Sequence, residues 1–126
     1  MNAAFGWVWI TAGLVSGMVL GLGFASETFL GGYGSWKRRL LRLGHIAQVM
    51  LGVLNVLFEV SRERMALAPE WVDAAAWGLV GGAVLMPTVC ALAAFDRRAM
   101  GLFGIPVVAL IGSSGIVAVG LVKGAL

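Results

Sequence analysis

Residues 5–25 read FGWVWITAGLVSGMVLGLGFA and contain no charged side chain. A helix that crosses a bilayer needs about 20 mostly apolar residues, because each residue advances the helix by about 1.5 Å. The apolar core of a secretory signal peptide is shorter, at about 7–15 residues, and follows basic residues. No Lys or Arg precedes this stretch. It therefore predicts a retained membrane-spanning helix.

Three further apolar stretches follow, so that the predicted helices cover residues 5–25, 43–60, 72–95 and 103–122. The composition agrees, since 60% of the 126 residues are hydrophobic and only 12% are charged. Soluble domains average about 45–50% apolar and about 25% charged residues. Backbone groups inside hydrocarbon must be hydrogen-bonded within the segment, which favours helices. We predict an all-α integral membrane protein, a single domain (1–126) built as a bundle of four transmembrane helices with short loops.

The basic residues are divided unequally between the two sides of such a bundle. Six lie in the first and third connections, and three lie in the second connection or the C-terminal tail. Basic residues favour the cytoplasmic side, so loops 26–44 and 96–102 are predicted to be cytoplasmic and both termini outside. A bacterial inner membrane fits this pattern. The basic pI then reflects contact with anionic membrane lipids, and we expect no nucleic-acid partner.

Local signals predict where the helices begin and how the third one is interrupted. Ser35 is a suitable N-cap for a second helix that starts in the basic segment before residue 43. Pro69 suits the first turn of the third helix. Pro87 lies inside that helix and frees a carbonyl about one turn earlier, at Ala83. Trp9 is expected near the outer membrane interface, where indole rings concentrate.

Glycines recur at four-residue spacing in the first and third helices. Gly13, Gly17 and Gly21 share one face of the first helix, and Gly78 and Gly82 share one face of the third. Such small residues let another backbone approach closely. Two interpretations remain open: packing of helices within the chain, or docking of a helix from a partner protein or a second copy.

The second helix carries a polar stripe, defined here as His45, Gln48, Gly52, Asn55 and Glu59. Steps of three and four residues place all five on one helix face. The stripe extends over about 21 Å, most of the width of the hydrocarbon core. Polar groups in hydrocarbon face protein or water. Three interpretations of the stripe remain open. It forms hydrogen bonds between helices, it lines a proton or ion path, or it is part of a cofactor site.

His45 is the single histidine of the chain. An imidazole can be an axial ligand of a tetrapyrrole, either haem or a chlorophyll-type pigment. The alternative is a hydrogen-bonded structural histidine, for which Glu27 is the expected partner because it ends the first helix on the same side.

No motif of an enzyme is present: the sequence lacks GxSxG, Walker A and HExxH patterns. We expect no enzymatic activity. The leading hypothesis is a small structural or accessory subunit of a larger membrane complex, with an energy-transducing complex as one candidate, that docks through its glycine faces. One alternative is a small oligomeric transporter or proton- or ion-conducting protein that uses the polar stripe. The other alternative is a pigment-binding subunit that binds a tetrapyrrole through His45.

Overall fold

A computed structural model describes all residues from 1 to 126. It confirms the all-α fold, with four long helices and no strand: α1 (Asn2–Phe24), α2 (Trp36–Ser61), α3 (Pro69–Phe95) and α4 (Gly104–Ala125). Each is long and apolar enough to cross a membrane. Short 3₁₀ turns lie in the three connections, at Phe29–Gly31, Arg62–Arg64 and Arg97–Phe103.

The predicted helix starts are confirmed by the hydrogen bonds found there. Ser35 caps α2, since its Oγ accepts a hydrogen bond from the backbone N–H of Arg38 at 3.2 Å. The cap draws the basic residues after Ser35 into the first turns of α2. Pro69 is the first residue of α3, where a backbone N–H would lack a helical partner in any case.

The helices run antiparallel, and each packs against the next in the chain. The central pair is α2 and α3; α1 packs on α2 and α4 packs on α3, while α1 and α4 share no interface. The main core lies between α2 and α3, where Phe58, Ala75 and Leu79 are buried. Because α1 and α4 lie on opposite flanks of the central pair, each leaves a long apolar face uncovered.

The two ends of the bundle differ in charge, and we name them accordingly. The acidic end contains both termini and the connection between α2 and α3, with four carboxylates: Glu59, Glu63, Glu70 and Asp73. The basic end contains the other two connections and the start of α2, with six cationic residues: Lys37, Arg38, Arg39, Arg42, Arg97 and Arg98.

Candidate functional site

The polar stripe of α2 is interrupted at its centre by α1. A Cβ atom placed on Gly52 would come within 2.8 Å of Ile10 Cγ1 and 2.9 Å of the Gly6 carbonyl oxygen. The backbones of α1 and α2 therefore touch at this level and leave no space between them. This contact divides the stripe into two separate polar clusters.

The first cluster joins three helices through two buried asparagines. Asn55 Nδ2 donates to the carbonyl oxygens of Leu51 at 2.9 Å and Leu79 at 3.3 Å. Asn55 Oδ1 accepts from Asn2 Nδ2 at 2.9 Å, and the same Asn2 nitrogen donates to the Ala76 carbonyl at 3.0 Å. Asn2 Oδ1 is buried without a partner. These bonds connect the start of α1 to the last third of α2 and the first half of α3.

Glu59 extends this cluster to the surface of the acidic end. Its Oε2 accepts from the backbone N–H of Asn2 at 2.7 Å and lies 3.1 Å from the Met1 amino group. Its Oε1 lies 3.8 Å from Arg62 Nη1, and Arg62 Nη2 lies 2.7 Å from Asp73 Oδ1. A carboxylate beside the first turn of α1 also interacts favourably with the helix dipole. These contacts of Glu59 agree with the interpretation of the stripe as a set of hydrogen bonds between helices.

The second cluster contains His45 and Gln48, and both meet Ser16 of α1. Ser16 Oγ lies 3.4 Å from His45 Nδ1 and 3.2 Å from Gln48 Oε1. The expectation that Glu27 partners His45 is wrong. His45 lies nine residues into α2, and Ser16 lies eight residues before the end of α1. Antiparallel packing therefore brings these two to one level, whereas Glu27 lies in the connection beyond α1.

His45 and Gln48 line a cleft between α1 and α3, with α2 as its floor. The cleft has a volume of about 360 Å³. Its lining includes Ser16 of α1, Gly44, His45 and Gln48 of α2, and Pro87 and Ala91 of α3. It lies in the half of the bundle nearer the basic end.

Trp9 joins α1 to α3 between this cleft and the acidic end. Its indole Nε1 donates to the carbonyl oxygen of Ala83 at 3.0 Å. This is the carbonyl that Pro87 was predicted to free, and α3 continues through the proline. The indole of Trp9, expected at the membrane interface, instead forms a hydrogen bond within the bundle. The Trp9 hydrogen bond to the Ala83 carbonyl replaces the helical hydrogen bond that Pro87, which has no backbone N–H, cannot donate.

The imidazole of His45 rests on Gly17. A Cβ atom on Gly17 would lie 2.8 Å from His45 Nε2 and 3.1 Å from Nδ1. Both ring nitrogens therefore lie on the side of the ring that faces α1. A metal bound by imidazole lies about 2 Å from the nitrogen, and a tetrapyrrole would extend its macrocycle around that point. Tetrapyrrole binding through His45 would have to use the part of the ring that lines the cleft, because α1 covers the ring at Gly17.

Four of the five glycines proposed for docking pack within the chain. Gly13 and Gly17 make room for α2, against Val49 and His45, while Gly78 and Gly82 make room for side chains of α4. This arrangement agrees with the intramolecular interpretation. A Cβ atom placed on Gly21 would have no neighbouring atom within 4 Å. Of the five, it alone leaves its space free for another molecule.

Arg38 is a structurally important residue that the sequence analysis did not single out. It is only 4% exposed, yet no carboxylate lies against it. Its guanidinium donates to the carbonyls of Phe24 at 3.2 Å, Ser26 at 3.4 Å and Glu27 at 3.5 Å, and stacks over the Phe24 ring. Phe24 is the last residue of α1, which carries the negative end of the helix dipole, and Ser26 and Glu27 lie in the connection that follows.

Ser16 was also missed, because a lone serine in an apolar helix carries little signal. The one hint is its position within the glycine-rich face, three residues after Gly13 and directly before Gly17.

Comparison with family models, with curated proteins and with solved structures finds no match for this chain.

Proposed function

We propose that this protein is a small accessory subunit of a larger membrane complex, and that the cleft between α1 and α3 receives a transmembrane helix of a partner subunit. One observation carries the proposal: His45 and Gln48 are half-buried at membrane depth, in a cleft that would otherwise face lipid. Polar groups exposed to hydrocarbon are costly, and contact with a partner helix removes that cost.

The unused hydrogen-bonding capacity of the cleft supports this proposal. Gln48 Oε1 lies 3.2 Å from Ser16 Oγ, whose single hydrogen also has the Gly13 carbonyl as an acceptor at 2.8 Å, and the Gln48 amide nitrogen makes no hydrogen bond within the chain. Its two N–H groups are available to a carbonyl or a polar side chain on a partner helix. Such interhelical bonds contribute about 0.6–2 kcal/mol each in membranes.

Small residues around the cleft allow a helix to approach closely. Ala91 lies exposed in its wall, whereas Gly44 in its floor is buried against Cys90 of α3. Gly21, the residue after the last lining residue of α1, is exposed and without neighbours. Close backbone approach at small residues is a common way for transmembrane helices to associate.

The transporter alternative receives less support from the stripe. Conduction along α2 needs a continuous row of polar groups or water, and the contact of Gly52 with α1 interrupts that row. Asn55 is fully buried, and both of its amide atoms are bonded to neighbouring helices, Oδ1 to Asn2 of α1 and Nδ2 to Leu79 of α3. The stripe is better explained as two hydrogen-bonded contacts between helices.

Purification from native membranes in a mild detergent tests the accessory-subunit proposal. We expect companion proteins at fixed stoichiometry, and about a tenfold loss of them when Gln48→Leu removes one interhelical bond of the usual strength. Thr11→Val is the matched control, because Thr11 is exposed on α1 and its hydroxyl bonds only to the Trp7 carbonyl of its own helix.

Two results would overturn the proposal. One is a wild-type protein that purifies as a lone, colourless oligomer. The other is a folded Gln48→Leu variant that keeps all of its companions. A loss of proton or ion flux in proteoliposomes by folded Asn55→Leu protein would favour the transporter, and a Soret or far-red absorption band would favour the pigment subunit.

We further propose that the protein lies in a bacterial inner membrane with its basic end in the cytoplasm. The 6-to-3 division of Lys and Arg between the two ends supports this orientation. A reporter enzyme that works only outside the cytoplasm should be active when joined to the end of α4 and inactive when joined after Met100. The opposite pattern would reverse the orientation.

A further inference from the structure

The cationic side chains of the basic end lack carboxylate partners. All ion pairs within 4 Å lie at the acidic end, among Met1, Glu59, Arg62 and Asp73. Arg38 is buried against carbonyls, but Lys37 and Arg97 are exposed. Neither of these two donates a hydrogen bond to any group of the chain. They are free to bind an anion from outside.

Lys37 and Arg97 line one groove, between the start of α2 and the end of α3. The groove has a volume of about 480 Å³. Lys37 Nζ lies 5.4 Å from the centre of the Phe95 ring, and Arg97 Cζ lies 4.9 Å from the centre of the Trp36 ring. Stacking over these rings holds both cations at the groove while their N–H donors stay unpaired.

The third wall of the groove is a turn that is held in an unusual conformation. Leu30 has a φ of 54°, and Gly31 has a φ of 87°. A left-handed conformation costs a residue such as leucine about 1–2 kcal/mol. The Ser35 hydroxyl donates to the Leu30 carbonyl at 2.7 Å and also caps α2. This double contact fixes the turn against the helix, so the wall is formed before any ligand binds.

An apolar strip leads away from the groove along α3. Phe95 is 67% exposed and Leu92 is 51% exposed, and their three-residue spacing puts them on one helix face. Trp36 is fixed beside them, because its Nε1 donates to the Ala93 carbonyl at 2.8 Å. The groove thus combines two cations with an adjoining apolar surface, an arrangement suited to an amphiphile with an anionic head.

We propose that this groove binds an anionic phospholipid, with its headgroup phosphate contacted by Lys37 and Arg97 and an acyl chain lying along Leu92 and Phe95. Arginine matches the geometry of phosphate oxygens with two parallel donors, and lysine adds a mobile point charge. The inference does not depend on the accessory-subunit proposal, because it involves neither the cleft nor a partner protein.

Titration of the purified protein in neutral detergent with phosphatidylglycerol tests this site, with binding counted by native mass spectrometry. Phosphatidylcholine with the same acyl chains is the zwitterionic comparison. The Lys37→Gln, Arg97→Gln double variant should bind phosphatidylglycerol about tenfold more weakly or worse, because each cation near the membrane surface contributes about 1 kcal/mol. Each single variant should lose part of that affinity.

Arg98→Gln is the matched control, because Arg98 is an exposed neighbour that does not line the groove. An equal loss with Arg98→Gln would show a diffuse charge effect and overturn the site. Equal binding of phosphatidylcholine would also overturn it. Displacement of the lipid by millimolar inorganic phosphate would show that the phosphate group alone accounts for binding, and would overturn the contact of the acyl chain with Leu92 and Phe95. Thermal unfolding of each variant, with the wild-type midpoint expected, establishes that the fold is kept.

Discussion

The two ends of this bundle hold their polar groups in opposite ways. At the acidic end, polar side chains bind one another: Asn2 with Asn55, and Glu59 with Arg62, which in turn pairs with Asp73. At the basic end, cations contact backbone carbonyls or aromatic rings, and no carboxylate neutralises them.

The comparison separates polar groups that hold the helices together from polar groups that remain available for binding. Bonds at the acidic end cross from helix to helix, so they fix the packing of α1, α2 and α3. Among the cations of the basic end only Arg38 has this role, and the others stay available. The glycines of α1 follow the same division, since Gly6 touches the backbone of α2 while Gly21 touches nothing.

The largest effect is expected where α1 and α2 touch. A Cβ on Gly6 would lie 2.6 Å from the Gly52 carbonyl oxygen, a backbone atom that cannot turn aside. Gly6→Leu should therefore lower the free energy of unfolding by about 3 kcal/mol or more. Gly21→Leu, on the same helix near the basic end, should change it by less than about 0.5 kcal/mol. Unfolding of both variants in detergent gives the comparison, and equal losses would contradict the division between the two ends.

Arg38 should give the next largest effect, as the one cation of the basic end that stabilises packing. Arg38→Met keeps much of the side chain but removes the donors to the last carbonyl of α1, at Phe24, and to two carbonyls of the connection that follows. Hydrogen bonds to charged groups contribute about 1.5–3 kcal/mol, so we expect a loss of that size in the free energy of unfolding. Arg39→Met is the matched control at an exposed position and should be nearly neutral. If the two variants behave alike, Arg38 does not cap α1.

The smallest effect is expected for the coupling between the two buried asparagines. Asn2→Leu and Asn55→Leu, alone and together, form a double-mutant cycle measured by unfolding in detergent. We expect a coupling energy of about 0.5–1.5 kcal/mol, because one hydrogen bond in a membrane protein rarely contributes more. The unpartnered Asn2 Oδ1 reduces the net stabilisation further. Additive losses would show that the Asn2–Asn55 bond does not hold α1 to α2.

The fold could be predicted because its signals are local. An uncharged stretch at residues 5–25 is long enough for one span, and Ser35 and Pro69 mark helix starts by their own hydrogen-bonding chemistry. Pro87 likewise indicates a free carbonyl at Ala83 without any knowledge of the neighbours. The identity of the group that occupies this carbonyl, Trp9, depends on how α1 lies against α3.

The candidate site could be predicted only in part, for the same reason. Spacing placed His45, Gln48 and Asn55 on one face of α2, but it does not reveal which helix covers each part of that face. The division of the stripe at Gly52, and Ser16 as the partner of His45, are consequences of tertiary packing. Arg38 resembled its basic neighbours in sequence, and only the position of the end of α1 makes it different.

The hydrogen bonds of Asn2 also have a consequence for the timing of protein synthesis. Asn2 binds Asn55 and Ala76, which lie 53 and 74 residues later in the chain. At about 5–20 residues per second, translation supplies the second of these partners several seconds after the first turn of α1 has left the ribosome. α1 and α2 are therefore available to each other before α3 is. A nascent chain arrested before α3 would present the Asn2 and Asn55 amides, still incompletely paired, to the insertion machinery.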